Sequence, residues 1–131
     1  MTREEKELLL KDLCARLPYG VICNSSAGNY KLLGIDGYDI HLDSPVYDDG
    51  GGYFDFIYEK VIPFLRPMSS MSQEEIKKYY QLCETDDGDF TGEPLYFNTC
   101  ESFDYLNSIH VDYRNLIQRG LALEAPKDMY K

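Results

Sequence analysis

The chain has 131 residues, of which 44% are hydrophobic and 27% are charged, and this is the composition of an ordinary globular domain. The 23 acidic residues outnumber the 13 Lys and Arg residues, so the net charge at pH 7 is −10, which argues against direct binding to nucleic acid, whose phosphates need a basic surface. No apolar run approaches the ~20 residues of a membrane span, and the first residues lack the apolar segment of a signal peptide. We therefore expect one compact cytoplasmic domain over residues 1–131 that binds neither nucleic acid nor membrane.

The first predicted element is an amphipathic helix that ends at Pro18. Thr2 and Glu5 have the spacing of a capping box, in which each side chain bonds to the backbone N–H of the other residue. Apolar residues then recur at three- and four-residue steps and predict one buried stripe, with Arg16 lying off it. The stripe comprises Leu9, Leu10, Leu13, Cys14 and Leu17.

Short strands are predicted next, joined by turns rather than by helices. They cover residues 20–23, 30–35, 38–42 and 53–58. Asp36 and Gly37 predict a hairpin, because both residues tolerate positive φ. Alternation within the third strand places Ile40 and Leu42 on the face opposite His41. The proline-bounded segment 61–67 is interpreted as a connector.

Helices return in the second half, after a capping box formed by Ser72 and Glu75. Helices are predicted over 73–83, 100–110 and 112–119, with a short strand over 95–97, and residues 121–123 are expected to dock on the core. Acidic loops are predicted near 47–53 and 84–94. The order of elements predicts an α+β domain, in which an N-terminal helix packs on a small twisted antiparallel sheet, open or closed into a barrel, followed by two or three helices.

Motifs for catalysis, metals and cofactors are absent from the sequence. It contains no phosphate loop, no GxSxG and no HExxH. The Asp-rich segments that start at Asp48 and Asp86 fail the EF-hand spacing, since Tyr53 falls where that loop needs glycine and Phe97 where it needs glutamate. The four cysteines lack the close spacing of zinc ligands and are predicted to be small buried residues without disulfides. We predict no catalytic residue, metal or cofactor.

Two long stretches of the chain are acidic and rich in tyrosine. No Lys or Arg lies between Lys31 and Lys60 or between Lys78 and Arg114. Tyrosine is common at binding hot spots, so these stretches predict a surface for a protein partner, which we expect to be basic. The residues predicted to bind that partner are Asp48, Asp49, Tyr53, Asp86, Asp87, Asp89 and Tyr96.

Three functions follow from these observations. The first is a non-enzymatic protein-interaction module with an acidic, Tyr-rich surface. The second is an acidic mimic of DNA, which would inhibit a nucleic-acid-binding protein by presenting carboxylates in place of phosphates. The third is a small enzyme that uses His41 and Asp43, since residues two apart on a strand share a face. The weakness of the catalytic motifs favours a protein that is not an enzyme.

Three segments resemble a known group of proteins. Residues 1–21, the segment Phe64 to Met71, and residues 112–117 with 120–126 are similar to a family of small Bacteroides-type proteins, some of them prophage-associated, to which no activity, cofactor or catalytic residue is assigned. The resemblance therefore implies no functional residue in this chain, and the central acidic stretches lie outside it.

Overall fold

The computed structural model describes residues 2–25, 28–36, 39–43, 53–57, 61–86 and 95–130, and for 53–57, Asp86 and Leu95 it describes the backbone alone. The α-helices are α1 (Arg3–Arg16), α2 (Gln73–Leu82) and α3 (Cys100–Ser108), and short 3₁₀ turns cover Leu17–Tyr19 and Met68–Ser70. The strands are β1 (Ile22–Ser25), β2 (Gly28–Asp36), β3 (Asp39–Asp43), β4 (Tyr53–Ile57), β5 (Ile62–Pro67), β6 (Glu84–Asp86), β7 (Leu95–Phe97), β8 (Val111–Asp112) and β9 (Leu123–Glu124).

Each of the three α-helices begins at a capping box, which satisfies backbone N–H groups that have no partner inside the helix. The pairs are Thr2 with Glu5, Ser72 with Glu75, and Thr99 with Ser102. The first two confirm the sequence prediction. The third was not predicted, because a serine takes the place of the usual glutamate or glutamine.

The main sheet has the strand order β4-β3-β2-β1-β5-β8, and β9 also pairs with β5. The pairs from β1 to β4 and between β1 and β5 are antiparallel, whereas β8 and β9 run parallel to β5. The predicted α+β class, with an N-terminal helix, a largely antiparallel sheet and two further helices, is therefore confirmed. Among the described residues no pairing joins β4 to β8 or β9, so the sheet is open rather than a barrel.

Three predictions of local structure were wrong. The segment 61–67 is not a connector: it forms β5, next to β1 in the sheet. The predicted loop over 84–94 begins with a strand, because Glu84–Asp86 form β6. Residues 112–119 do not form a helix: Asp112 ends β8, and bends and turns follow it. There the Asp112 carboxylate accepts hydrogen bonds from the backbone N–H groups of Leu116 and Ile117, both at 2.9 Å, and Asn115 has φ 64°. A side chain that accepts hydrogen bonds from nearby backbone N–H groups competes with the backbone carbonyls that would accept them in a helix.

The core lies between α1 and the sheet. Leu9 and Leu13 of α1 pack with apolar residues that alternate along β1, β2 and β3. The sheet contributes Cys23, Leu32, Ile40 and Leu42. Leu121 and Ala122 are buried in the same core, which confirms that the C-terminal segment docks there, although Leu123 is exposed.

The buried face of α1 differs from the predicted stripe. Arg16, expected to lie off the stripe, is fully buried together with Asp12, whereas Cys14 is exposed. The Arg16 Nε donates to the Asp12 carboxylate at 2.9 Å, and this pairing allows both charges to be buried. The four cysteines are free thiols. The prediction that they are buried is correct only for Cys23. This burial raises the pKa of the Cys23 thiol to about 12.

Candidate functional site: an exposed aromatic surface

An aromatic surface lies where α2 meets the two-stranded ribbon of β6 and β7. We define it by four residues: Tyr79 and Tyr80 on α2, and Tyr96 and Phe97 on β7. The ring centroids of Tyr80 and Tyr96 lie 4.7 Å apart, and those of Tyr79 and Tyr80 lie 5.4 Å apart. These tilted geometries are favourable for aromatic pairs, so three of the rings form one continuous group.

Three of the four side chains are about half exposed, with exposed fractions of 45% for Tyr80, 48% for Tyr96 and 50% for Phe97. Tyr96 and Phe97 are neighbours on a strand and point to opposite faces of the ribbon. The described part of the chain therefore leaves apolar area open on both faces. On one of these faces the exposed rings of Tyr80 and Tyr96 are contiguous, and contiguous exposed apolar area marks binding surfaces in soluble proteins.

The surface is held in place by hydrogen bonds beneath it. The Tyr79 hydroxyl donates to the Asn98 side-chain oxygen at 2.5 Å, and the Thr99 hydroxyl donates to the Leu82 carbonyl at 2.7 Å. Partial burial raises the pKa of Tyr79, and its hydrogen bond with Cys83 acts in the same direction. The aromatic surface is thus presented by a fixed scaffold, which reduces the entropy lost when a partner binds.

Exposed acidic side chains lie on the ribbon and on α3, the helix that follows it. Glu84 stands opposite Phe97 in the ribbon and is exposed, and Glu101 is exposed in the first turn of α3. No Lys or Arg occurs in the sequence between Lys78 and Arg114. The stretch that carries the four residues of the aromatic surface therefore contains no basic residue that would oppose its acidic side chains.

The residues predicted to bind a partner are only partly described. Tyr96 lies on the aromatic surface, next to Tyr80. Tyr53 begins β4 and Asp86 ends β6, and since β4 and β6 belong to separate sheets, these predicted residues are divided between two parts of the fold. The predicted residues Asp48, Asp49, Asp87 and Asp89 lie outside the described residues.

The alternative site at His41 and Asp43 has the predicted placement on β3. Ile40 and Leu42 are buried and Asp43 is exposed, while His41 is partly buried and pairs with Gly34 across the sheet. Two pockets that the described residues form, of about 500 and 720 Å³, lie elsewhere in the fold, and neither is lined by His41. In the described parts of the chain, no group of three His, Cys, Asp or Glu residues could hold a metal ion.

The sequence analysis included Tyr96 among the residues predicted to bind a partner but did not include Tyr80 and Phe97, which the structure places with it on the aromatic surface. The available signal was the doublet of Tyr79 and Tyr80: neighbours on a helix are about 100° apart around the axis, so both cannot face the same side. Phe97 carried no such signal, because an isolated strand of three residues does not show which of its faces is covered.

No protein-family model, curated protein or solved structure matches this chain. Among the helices that the structure describes, none combines the length and apolar character needed to cross a membrane.

Proposed function

We propose that the chain is a non-enzymatic protein-interaction module that binds a basic partner through the aromatic surface. The observation that carries the proposal is the contiguous exposure of Tyr80 and Tyr96, with Phe97 exposed on the other face of the same ribbon. Tyr and Phe offer large contact area with little side-chain entropy to lose, which is why they are enriched in binding surfaces.

The charge of the surrounding stretch supports a basic partner. Lys and Arg side chains bind favourably over aromatic ring faces, and more so when carboxylates lie nearby. The described residues already make such contacts within the chain: the Lys78 ammonium lies 5.5 Å from the Tyr105 ring centroid, and the Arg114 guanidinium lies 4.7 Å from that of Tyr113. A partner that presents Arg or Lys to Tyr80 and Tyr96 would make the same interaction between two molecules.

The proposal is tested by capture from host lysate with matched variants. The full chain, a double variant Tyr96→Ser/Phe97→Ser, and a control Tyr19→Ser/Leu33→Ser are immobilised, and the retained proteins are quantified by mass spectrometry. Tyr19 and Leu33 are also exposed apolar residues, but they lie outside the aromatic surface. We expect a basic protein that the wild type and the control retain, with retention about tenfold lower for the Tyr96/Phe97 variant.

Salt provides a second criterion. Because Coulomb attraction at exposed sites is screened over ~3 Å in 1 M salt, the captured protein is expected to be lost at high salt. A protein retained equally by both double variants, or a capture that is indifferent to salt, would contradict the proposal.

A further inference from the structure

A groove of about 720 Å³ runs beside α3, adjoining the aromatic surface. Residues from both ends of α3 line it, from Cys100 to Asn107, and Lys11 and Ala15 of α1 form the facing wall. At 1.5 Å per residue, this stretch of α3 is about 10 Å long, or two helical turns. Tyr79 lines the same groove, so the groove and the aromatic surface share a residue and are continuous.

The lining of the groove is largely apolar. Met68 and Phe103 are 45% and 38% exposed, and the rings of Phe103 and Tyr113 lie 5.1 Å apart. Leu106, which also contributes to the lining, is buried. Methionine and aromatic side chains suit a surface that accepts the apolar face of a partner.

The walls of the groove limit the conformation of what can bind there. Since the walls are mainly α-helices, their backbone N–H and C=O groups are bonded within each helix and cannot pair with an added strand. The side-chain oxygens of Asn98 and Asn107 already accept from the hydroxyls of Tyr79 and Tyr113. A bound segment that buries its backbone must therefore satisfy its own hydrogen bonds, as a helix does.

The rim of the groove carries charges of both signs. Lys11 and Arg114 line it, and Asp104 lines it from α3. The Arg114 Nη1 donates a hydrogen bond to the Asp12 carboxylate at 2.7 Å, whereas no ion pair involves Lys11 among the described residues. Lys11 and Asp104 are both exposed, so the Lys11 ammonium can pair with an acidic side chain of a bound segment and the Asp104 carboxylate can pair with a basic one.

We propose that the groove binds an amphipathic helix of a partner protein, with apolar side chains against Met68 and Phe103 and an acidic side chain paired with Lys11. This inference rests on the proposed function, because it names the kind of segment that the interaction module would take. It adds that the partner contributes a helix rather than an extended strand, and that the charge at Lys11 sets the register of that helix.

A phage-displayed library of random peptides of about 16 residues, some four helical turns, selected on the full chain, tests this proposal. We expect enriched peptides with apolar residues at helical spacing, an acidic residue beside them, and no internal proline. In titrations with the synthetic peptides, we expect Phe103→Arg and Lys11→Glu each to weaken binding by about tenfold. Lys77→Glu is the matched control, since Lys77 is exposed on α2 outside the groove.

Charge reversal provides the decisive comparison. A peptide in which the acidic residue is replaced by lysine is expected to bind Lys11→Glu better than it binds the wild type. Thermal melts establish that the variants are folded. If Phe103→Arg does not fold, Lys11→Glu still tests the proposal, because Lys11 is at an exposed position.

Three outcomes would overturn the groove proposal: no enrichment, enriched peptides that contain proline, or binding that Lys11→Glu and Phe103→Arg leave unchanged. A fourth outcome would overturn it as well: peptides that still bind Lys11→Glu and Phe103→Arg but no longer bind Tyr96→Ser/Phe97→Ser. That result would instead support the aromatic surface as the binding site. The two proposals can therefore fail separately.

Discussion

His110 is buried in a conformation and an environment that are both unusual for histidine. Its φ is 63°, in the left-handed region, and only 7% of its surface is exposed. The imidazole stacks on the Tyr130 ring at 3.8 Å between centroids, and its Nδ1 has no hydrogen-bond partner among the described residues. Burial and the nearby charges of Arg16 and Arg66 lower the pKa of His110 to about 4. The neutral form is therefore the one that the fold stabilises.

The lowered pKa of His110 predicts a pH-dependent stability with a defined window. Between pH 6.5, the ordinary pKa, and about 4, the unfolded chain binds a proton at this residue that the folded chain does not. The free energy of unfolding should therefore fall as pH decreases through this window, at most by about 1.4 kcal/mol per pH unit for one proton. We expect His110→Asn, which tolerates positive φ, to remove this slope in urea titrations.

Glu75 provides an internal control for that experiment. The Arg66 guanidinium bonds to both of its carboxylate oxygens, at 2.7 and 2.9 Å, and lowers the pKa of Glu75 from 4.5 to about 2. Its contribution to stability is present above pH 4.5 and is lost as pH falls towards 2. His110→Asn should leave this lower window unchanged. An unaltered slope between pH 6.5 and 4 would contradict the assignment to His110.

The contact between β1 and β5 shows how one side chain can supplement a short ladder. These strands share only the pairs Cys23 with Pro63 and Asn24 with Ile62, and proline has no N–H to donate. The Tyr130 hydroxyl bonds to both strands beside these pairs. It accepts from the Ile22 N–H at 2.9 Å and donates to the Phe64 carbonyl at 2.6 Å. Tyr130 thus supplies links that the backbone ladder lacks at this point.

Removing the Tyr130 hydroxyl should therefore weaken this junction. We expect Tyr130→Phe to lower the free energy of unfolding by about 1–3 kcal/mol, because it leaves a partly buried N–H and carbonyl without this partner. Amide hydrogen exchange should accelerate at Ile22. Tyr19→Phe, at an exposed tyrosine, is the control and should change stability by less than about 0.5 kcal/mol. Equal effects of the two substitutions would show that the hydroxyl of Tyr130 is not a link between the strands.

The elements that the sequence predicted are those whose pattern is local. The capping boxes and the alternation in β3 are readable within a few residues. In β5, by contrast, Pro63, Phe64 and Leu65 are all buried, so the strand shows no alternation, and its prolines suggested a connector. The two-residue strands β8 and β9 are too short to show an alternation of apolar and polar residues.

The candidate site was predictable to the same extent. Tyr96 could be assigned to a binding surface from its acidic and tyrosine-rich context. The groove could not be predicted, because it combines Lys11 with Phe103 and Arg114, which are distant in sequence. Only the packing of α1 against α3 brings them together.

At the scale of the whole molecule, a buried charge network joins the first helix to the last third of the chain. The Asp12 carboxylate accepts from Arg16 at 2.9 Å and from Arg114 at 2.7 Å. Arg16 in turn donates to the Val111 carbonyl at 2.7 Å, and the Tyr113 ring lies within 5.5 Å of both guanidinium carbons. Asp12 is thus the anion that allows Arg16, which is fully buried, to remain charged inside the fold.

Neutralising Asp12 should consequently be among the most damaging conservative changes in the chain. Asp12→Asn keeps the shape of the side chain but leaves the Arg16 charge buried without its carboxylate, and breaking a buried ion pair in this way costs about 3–5 kcal/mol. We expect a loss of this size in urea denaturation, together with weaker docking of residues 111–122 detected by hydrogen exchange. Asp39→Asn, at an exposed position on β3, is the matched control and should change stability by less than about 0.5 kcal/mol. If Asp12→Asn were equally mild, the packing of Leu9 and Leu13, rather than the charge network, would be what holds α1 to the rest of the domain.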